Sequence, residues 1–582
     1  MELSIYQKNI IDAVLHGQGN IMIQAFAGAG KTSTLIEIMR QLNPKMSKLY
    51  CAFNTDIVQD ITSKTEHIRN LKISTIHSLG LQVIRSNNKG KEIVIDEDKY
   101  VNHINEKVGE YSEIFSTFNY NQRMKFIANT KRLLNYSRNH LCDGNQTMLG
   151  IATKYGLNLL GDEINVAIKA MEWGKENIDT IDFGDMVWLP NTLPFRFPFY
   201  NFILVDECQD LSIAQQHLVL KCRNISTRYI FCGDEKQAIY SFSGADSSSF
   251  QNLLKIPNTK IYFLPICYRC ADLIVEQAKQ IVPQIECNGK HEKGEVIFNA
   301  SIFDIKDGDM VICRNNSPLA KLYMECMKKN IPCYIKGKEI EKTLIEMVED
   351  TNQDELNIDL KDNGVFMQLY NDLINFKKQI EIYEKCTDKM AIQTPQFKSK
   401  YDLLKTLEIL SENLSTKDEL IERIKKIFED EKKDGVSLST IHKAKGLEND
   451  TVHILCWSIF ETNLKRMSQD WEITQEKNLQ YVAITRAKHK LSYIEDANYA
   501  RYNSTITLQE LASIEYIINK VLGIQNRHVA ITVEYANAVV SDFKPLDFKT
   551  NTNVVHGINS KPMNQNQMSS LKTLLQNKYK KK

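Results

Sequence analysis

At 582 residues the chain is long enough for about four domains and several hydrophobic cores. Its 43% hydrophobic and 25% charged residues are the balance of an ordinary soluble globular protein. Lys and Arg number 73 against 72 Asp and Glu, which excludes a global cationic field, so any nucleic-acid binding must come from local patches.

The N-terminus, "MELSIYQKNI", lacks a basic leader followed by an apolar stretch, and apolar runs such as "NFILV" at 201–205 are far too short to span a bilayer. The expectation is an unexported cytoplasmic protein with no membrane partner. Thirteen cysteines scattered along a large chain fit a reducing compartment and free thiols. No internal repeat is evident.

The first informative element is "NIMIQAFAGAGKTSTLIEIMRQL" at 20–42. It reads as a short apolar strand, a small-residue loop, and a helix with apolar spacing at Leu35, Ile36, Ile38 and Met39. This is a P-loop, with Ala25 where the first glycine usually stands. Ala25, Ala27, Gly28, Ala29 and Gly30 would let backbone N–H groups close around phosphates at the positive end of the helix. Lys31 would reach the β and γ phosphates, and the Thr32 hydroxyl would hold Mg²⁺.

Further on, "NQRMKFIANTKRLLNYSRNH" at 121–140 carries Arg123, Lys125, Lys131, Arg132 and Arg138 with no acid among them. It reads either as a phosphate-contacting face or as a solvated helix face. "FYNFILVDECQDLS" then supplies an apolar run, Phe202 to Val205, that ends directly in Asp206 and Glu207. Acids at the C-terminal end of a strand suit a P-loop partner: Asp206 for the Mg²⁺ hydration shell, Glu207 to deprotonate the attacking water.

"ICYRCADL" at 266–273 holds a Cys-x-x-Cys pair. A zinc ribbon or iron–sulfur site would want further cysteines at matching spacing, and none is present; a thioredoxin-like pair would sit in its own βαβ fold. Residues 341–433 are rich in Lys, Glu, Leu and Ile at helical spacing, with a capping-box pattern at Thr416 and Glu419. Beyond 505, "VAITVEYANAVV" reads as a strand or hairpin, and the polar, basic-ended remainder as a partly disordered tail or a partner-binding helix.

The segments "DECQD" at 206–210 and "GDEKQAIYSFSGAD" at 233–246 resemble motifs II and III of superfamily 1 helicases of the UvrD/Rep type. Further matches follow in order: "YQKNII", "AFNTDI", "STIHSL", "DFGDM", the Tyr-Arg dipeptide at 268–269, "STIHKAKGLE" and "NLQYVAITRAKHKL". Together they span residues 7–491, and the wording is closest to the branch with the F-box DNA helicase and short phage UvrD-like proteins, although no F-box-like extension precedes Gln7.

The resemblance implies an α/β architecture of two RecA-like P-loop motor domains with mainly helical insertions. It implies motor domain 1A at 1–88 and 172–264, insertion 1B at 89–171, motor domain 2A at 265–340 and 434–505, a short insertion 2B at 341–433, and an extension at 506–582. It implies ATP and Mg²⁺ as cofactors, single-stranded DNA and its junctions with duplex as partners, and 3′ to 5′ unwinding in replication, repair or recombination. A DNA-binding P-loop ATPase that gates an interaction without unwinding is the rival class; an ABC-type clamp would need an LSGGQ-like signature, which is absent.

Residue by residue, it assigns Gln7 to the adenine edge, Tyr268 to stacking on adenine, Glu448 to the ribose, and Gln237 to γ-phosphate sensing. Arg269 and Arg486 would reach the γ-phosphate from the second motor domain, leaving Cys267 and Cys270 as small packing residues around half of the ATP site. Phe53, Asn54, His77, Tyr240, Phe242 and His442 would line the DNA track, where aromatic faces accept any base. The chain departs from the family at Ser33, where an arginine is usual, and at Phe242-Ser243-Gly244-Ala245, which lacks the motif III arginine.

Overall fold

The apolar runs form strands because each can be buried on both faces, the condition for a parallel sheet covered by helices. The structure, a computed structural model, describes residues 3–52, 54–88, 91–118, 120–155, 157, 159, 161–239, 248–289, 292–384, 386–428, 434–467, 470–496, 499 and 506–522. The strands are β1 (Asn20–Ala25), β2 (Lys48–Ala52), β3 (Leu71–Thr75), β4 (Val94–Ile95), β5 (Thr180–Ile181), β6 (Phe202–Val205), β7 (Arg228–Gly233) and β8 (Thr259–Leu264). They continue as β9 (Ile266–Cys267), β10 (Glu286–Cys287), β11 (Glu295–Ile297), β12 (Met310–Cys313), β13 (Cys333–Ile335), β14 (Val436–Thr440), β15 (Asn449–Leu455) and β16 (Ala487–Ile494).

Two six-stranded sheets result, ordered β3-β2-β6-β7-β1-β8 and β11-β16-β15-β12-β14-β13, with small pairs β4–β5 and β9–β10. Every pairing in both large sheets is parallel. Side chains alternate between faces as strand geometry requires. Phe202 and Leu204 enter one core of the first sheet, while Ile203 and Val205 enter the other. In the second sheet Val311 and Cys313 face the helical insertion, whereas Met310 and Ile312 face the first sheet's loops. That second core takes in Phe26, Ala27 and Ile239 from loops of the first sheet, so the two halves share apolar packing.

Two expected boundaries fall inside helices. The break at 171/172 cuts helix Glu163–Glu176, whose Val166, Ala167, Ala170 and Met171 are buried in the core of the first insertion, so that unit extends past 171. The break at 340/341 cuts helix Lys338–Glu349, held by Leu344 and Val348 in the core it shares with the second insertion. After residue 505, helix Leu508–Val521 buries Leu511 and Ile518 in that same core, and Glu515 pairs with Lys378 at 2.6 Å. The hairpin and tail readings lie outside the described residues. Among the described residues no helix is long and apolar enough to cross a membrane.

The basic helix Tyr120–His140 corrects one reading. Arg138 does not belong to a phosphate-contacting or solvated face: it is 2% exposed and donates to both Asp182 oxygens at 2.7 Å and to Asp185 at 2.9 Å. Lys99 and the Tyr100 hydroxyl complete the cluster on Asp185 at 2.6 and 2.7 Å. The cluster locks the insertion to the "DFGDM" segment, where Asp182 also caps helix Phe183–Thr192 through the Asp185 N–H. Removing one partner leaves uncompensated buried charge. Arg138→Leu is expected to cost about 3–5 kcal/mol of stability, read as a shift in urea midpoint against wild type.

Candidate active site

Each strand of a parallel sheet delivers the loop after it to the same edge, and that edge is where α/β folds bind ligands. The P-loop follows β1, Asn54 follows β2, His77 follows β3, Asp206 and Glu207 follow β6, and Asp234 to Gln237 follow β7. From the second sheet, Arg314 follows β12 and His442 follows β14.

The P-loop depends on two glycines in the left-handed region, Gly28 at φ 65° and Gly30 at φ 74°. At Gly28 space also decides the residue: a Cβ would lie 2.6 Å from the Arg269 Cβ and 3.0 Å from the Cys267 Sγ. The opposite half holds this loop directly. The Tyr481 hydroxyl accepts from the Ala27 N–H at 2.8 Å, and the Gly28 carbonyl accepts from the Tyr268 N–H at 2.8 Å.

Lys31 reaches Glu207 at 2.6 Å. Burial works against the Lys31 charge, but Glu207 and then Asp206 outweigh it and raise its pKa. Glu207 has a left-handed backbone, φ 48°, which costs a non-glycine residue roughly 1–3 kcal/mol and marks a site where geometry is over-determined. Burial opposes its charge too, yet Lys31, Lys445 and the Gln209 amide hold Glu207 down to about 2. Asp206 goes the other way, raised by burial and by the charge of Glu207. Its oxygens accept from the Tyr50 hydroxyl at 2.7 Å and the Glu207 N–H at 2.9 Å.

A second layer surrounds these groups. Asp234, pushed up to about 6 by burial, accepts from Gln24 at 3.1 Å and Gln237 at 2.7 Å. Gln209 joins Glu207, Asp210 and the Asp234 N–H at 2.6, 3.1 and 3.0 Å. Lys445 crosses from the second sheet to Asp210 and the Gln237 carbonyl, both at 2.6 Å. Gln475 and Asn478 cross likewise to the carbonyls of Ile239, Glu235 and Ala238.

Arg486 is 1% exposed, and its guanidinium donates to the Val482 and Leu447 carbonyls at 3.0 Å and to Thr485 Oγ1 at 3.3 Å. These partners are all neutral; burial and then neighbouring Arg269 lower its pKa to about 10. Arg269 pairs with Glu448 at 2.5 Å, and Lys488 holds the other Glu448 oxygen at 3.0 Å. The structure thus brings Lys31, Asp206, Glu207, Gln237, Tyr268, Arg269, Glu448 and Arg486 to one cleft between the sheets. Gln7 stands beside it with its amide committed, donating to Thr34 at 2.9 Å and accepting from the Ser4 N–H at 2.9 Å. Thr32 is half-buried on the first turn after the loop.

The tetrapeptide Ser-Thr-Ile-His occurs twice, at 74–77 and 439–442, with one local structure. Each threonine ends a strand and caps the next helix, Thr75 accepting from Ser78 N–H and Thr440 from Lys443 N–H. His77 and His442 thereby occupy matching helix starts, and burial lowers the pKa of each. Phe183, 52% exposed, meets His77 edge-on at 6.5 Å. Asn54 caps helix Thr55–Thr65 through the Ile57 N–H and is exposed. Phe53, Tyr240 and Phe242 lie outside the described residues. Tyr481 and Lys445, to which the sequence motifs containing them assign no role, tie the two halves together at 2.8 and 2.6 Å.

The UvrD/REP helicase N-terminal domain family matches residues 6–257. The chain is 24% identical to "ATP-dependent DNA helicase Rep" of Buchnera aphidicola subsp. Acyrthosiphon pisum, covering 85% of this chain and 94% of the relative. It is 22% identical to "ATP-dependent DNA helicase PcrA" of Staphylococcus epidermidis, over 84% of this chain and 82% of the relative. It is 23% identical to "F-box DNA helicase protein 1" of Schizosaccharomyces pombe, over 84% of this chain and 57% of that one. With a P-loop and its acids on one parallel sheet, residues 6–257 match the UvrD/REP helicase N-terminal domain, and the similarity to helicases of the UvrD/Rep type runs along 84–85% of the chain.

Proposed function

We propose that this chain is an ATP-dependent DNA helicase that moves 3′ to 5′ on single-stranded DNA and unwinds duplex at single-strand junctions. The observation that carries the reading is the meeting of the two halves: Lys31 on Glu207 in one, and Arg269 of the other packed against Gly28 of the P-loop with Arg486 beside it. The motor halves proposed are 1–88 with 177–264 and 265–337 with 434–505, the insertions taking in helices Glu163–Glu176 and Lys338–Glu349.

Glu207, charged at neutral pH, is the base that orients and deprotonates the attacking water, and Lys31 holds the β and γ phosphates. Thr32 and Asp206 fit Mg²⁺, a hard cation that uses one or two protein oxygens and keeps several waters. Burial and the Glu207 charge raise Asp206 against the opposing pull of Lys31, so a further cation beside it would favour its charged form. Held there, the ion would neutralise charge developing on the phosphoryl oxygens.

Arg486, held only by neutral oxygens, and Arg269, released from Glu448, stabilise charge on the transferred phosphoryl group. Gln237 reports that charge through Asp234, Gln7 contacts the adenine edge, Tyr268 stacks on the base and Glu448 takes the ribose. Asn54, His77 and His442 form the DNA track with Phe53, Tyr240 and Phe242, and exposed Phe183 adds a stacking face beside His77.

The direct test measures ATP hydrolysis with and without single-stranded DNA, then unwinding of duplexes with a 3′ or a 5′ tail. Stimulated hydrolysis and unwinding from the 3′ tail are expected. Hydrolysis indifferent to DNA would overturn the motor, and unwinding only from the 5′ tail would overturn the polarity. Lys31→Ala is expected to lower hydrolysis at least about a hundredfold, and Arg486→Ala to lower it about a thousandfold while nucleotide still binds.

The Glu207 shift also predicts a pH dependence. Its folded pKa, about 2, lies below the usual 4.5, so its stabilising pairing is fully present above about 4.5 and is lost as pH falls toward about 2. Asp206 and Asp234 are raised and carry the opposite sign, contributing most at low pH. In thermal melts the deficit of Glu207→Gln relative to wild type should therefore be largest above about pH 4.5 and close toward pH 2.

A further inference from the structure

The nucleotide-facing dipeptide Tyr268-Arg269 is bracketed by Cys267 and Cys270, 0% and 1% exposed. Their side chains hydrogen-bond to each other, and the Cys270 N–H donates to the Cys267 Sγ at 3.4 Å. The Cys270 thiol also reaches the Thr485 carbonyl at 3.8 Å, next to Arg486. The Cys267 sulfur packs against Gly28 of the P-loop, which covers it from the opposite half.

We propose that Cys267 and Cys270 are a redox-responsive dithiol, which hydrogen peroxide closes to an intramolecular disulfide that slows nucleotide turnover until a thiol reductant reopens it. The effect on turnover rests on the ATPase reading above; the thiol chemistry does not. Cys267 is the attacking sulfur. Donation from the Cys270 thiol and N–H, with Arg269 beside it, holds the Cys267 thiol below its ordinary value despite burial, whereas Cys270 is held well above.

The Cys267 sulfur attacks one peroxide oxygen and the O–O bond breaks, giving a sulfenic acid and, with the thiol proton, water. The Cys270 sulfur then attacks the Cys267 sulfur, the S–O bond breaks, and the hydroxyl leaves with the Cys270 proton as a second water. Two thiols lose two electrons and two protons, and the peroxide accepts them. The S–S bond is about 2.05 Å long, far shorter than a thiol–thiol hydrogen bond. Forming it shifts the turn whose Tyr268 N–H grips Gly28 and whose Arg269 faces the cleft. Because the P-loop covers Cys267, a nucleotide that keeps the cleft closed protects the pair.

The test treats reduced full-length protein with hydrogen peroxide, with and without a non-hydrolysable ATP analogue and Mg²⁺. Free thiols are then alkylated, and cleavage after glutamate leaves both cysteines on fragment 236–276. Mapping separates this pair from Cys326 and Cys333, which hydrogen-bond each other elsewhere. Expected are loss of two hydrogens from the fragment, formation slowed about tenfold by the analogue, and a fall in hydrolysis of about tenfold that dithiothreitol reverses.

The Cys267→Ala, Cys270→Ala double variant, normalised to its own unoxidised rate, should lose that sensitivity. The Cys270→Ser variant should instead trap the sulfenic acid on Cys267, read with a dimedone tag. The proposal is overturned if both cysteines stay alkylatable, if the double variant is equally inhibited, or if the disulfide forms with no loss of turnover. A protein that forms the disulfide with peroxide yet hydrolyses no ATP even while reduced would overturn the ATPase reading and leave the dithiol standing.

Discussion

The buried ammonium of Lys445 is the contact on which the arrangement of the two sheets depends. It comes from a loop of the second sheet and ends between the Asp210 carboxylate and the Gln237 carbonyl of the first. The first sheet gathers Asp206, Glu207, Asp210 and Asp234 at one edge, all buried or nearly so, with Lys31 among them as the P-loop cation. Such an excess of negative charge is costly in a low-dielectric pocket unless a cation is supplied. Here the other half supplies it, so closing the cleft and balancing its charge are one event. The apolar packing of Phe26, Ala27 and Ile239 in the second half's core then adds area to a contact whose register is set by charge.

The readable parts of the sequence were those whose chemistry is local. A strand, a loop with Gly28 and Gly30 at positive φ, and the helix beginning at Lys31 are adjacent in the chain, and Asp206 and Glu207 follow their strand directly. Tyr481 and Lys445 are different. Their partners, Ala27 and Asp210, lie 454 and 235 residues away, and no local pattern distinguishes a cleft-spanning tyrosine from a core one. Arg138 failed as a surface residue for a legible reason: it stands four residues after Leu134 and eight after Thr130, on the helix stripe that carries buried Phe126. Periodicity placed it inside; charge alone had placed it outside. The expected breaks at 171/172 and 340/341 failed because motif spacing marks strands and loops, whereas the helices that close an insertion carry no motif.

The repeated Ser-Thr-Ile-His shows how two halves with different surroundings solve one local problem. In both, a strand must end, a helix must start at once, and a histidine must stand at the start on the ligand edge of its sheet. Threonine does the capping, and the preceding serine bonds the threonine's own carbonyl at 2.9 Å in one copy and 3.1 Å in the other. The backbone is thereby satisfied within four residues by the serine and threonine hydroxyls. Burial then favours the neutral ring in both, the form that stacks and hydrogen-bonds without adding charge.

The two arginines of the second half differ in a way that bears on how closure is timed. Arg269 has a carboxylate partner in Glu448, and that carboxylate is already shared with Lys488, so releasing Arg269 leaves Glu448 paired. Arg486 has carbonyl and hydroxyl oxygens only, and the nearby Arg269 charge disfavours its own. An anion between them relieves both, one by supplying a missing counter-charge and the other by separating like charges. On the proposed reading that anion is the γ-phosphate, and its loss after hydrolysis restores the repulsion between Arg269 and Arg486. The halves would then still be joined by Lys445, Tyr481, Gln475, Asn478, the Tyr268 N–H and the shared apolar patch. A ligand can shift a two-state equilibrium only by its differential affinity for the two states. The arginine pair is where that difference is built, and Lys445 sets the closed geometry against which it acts.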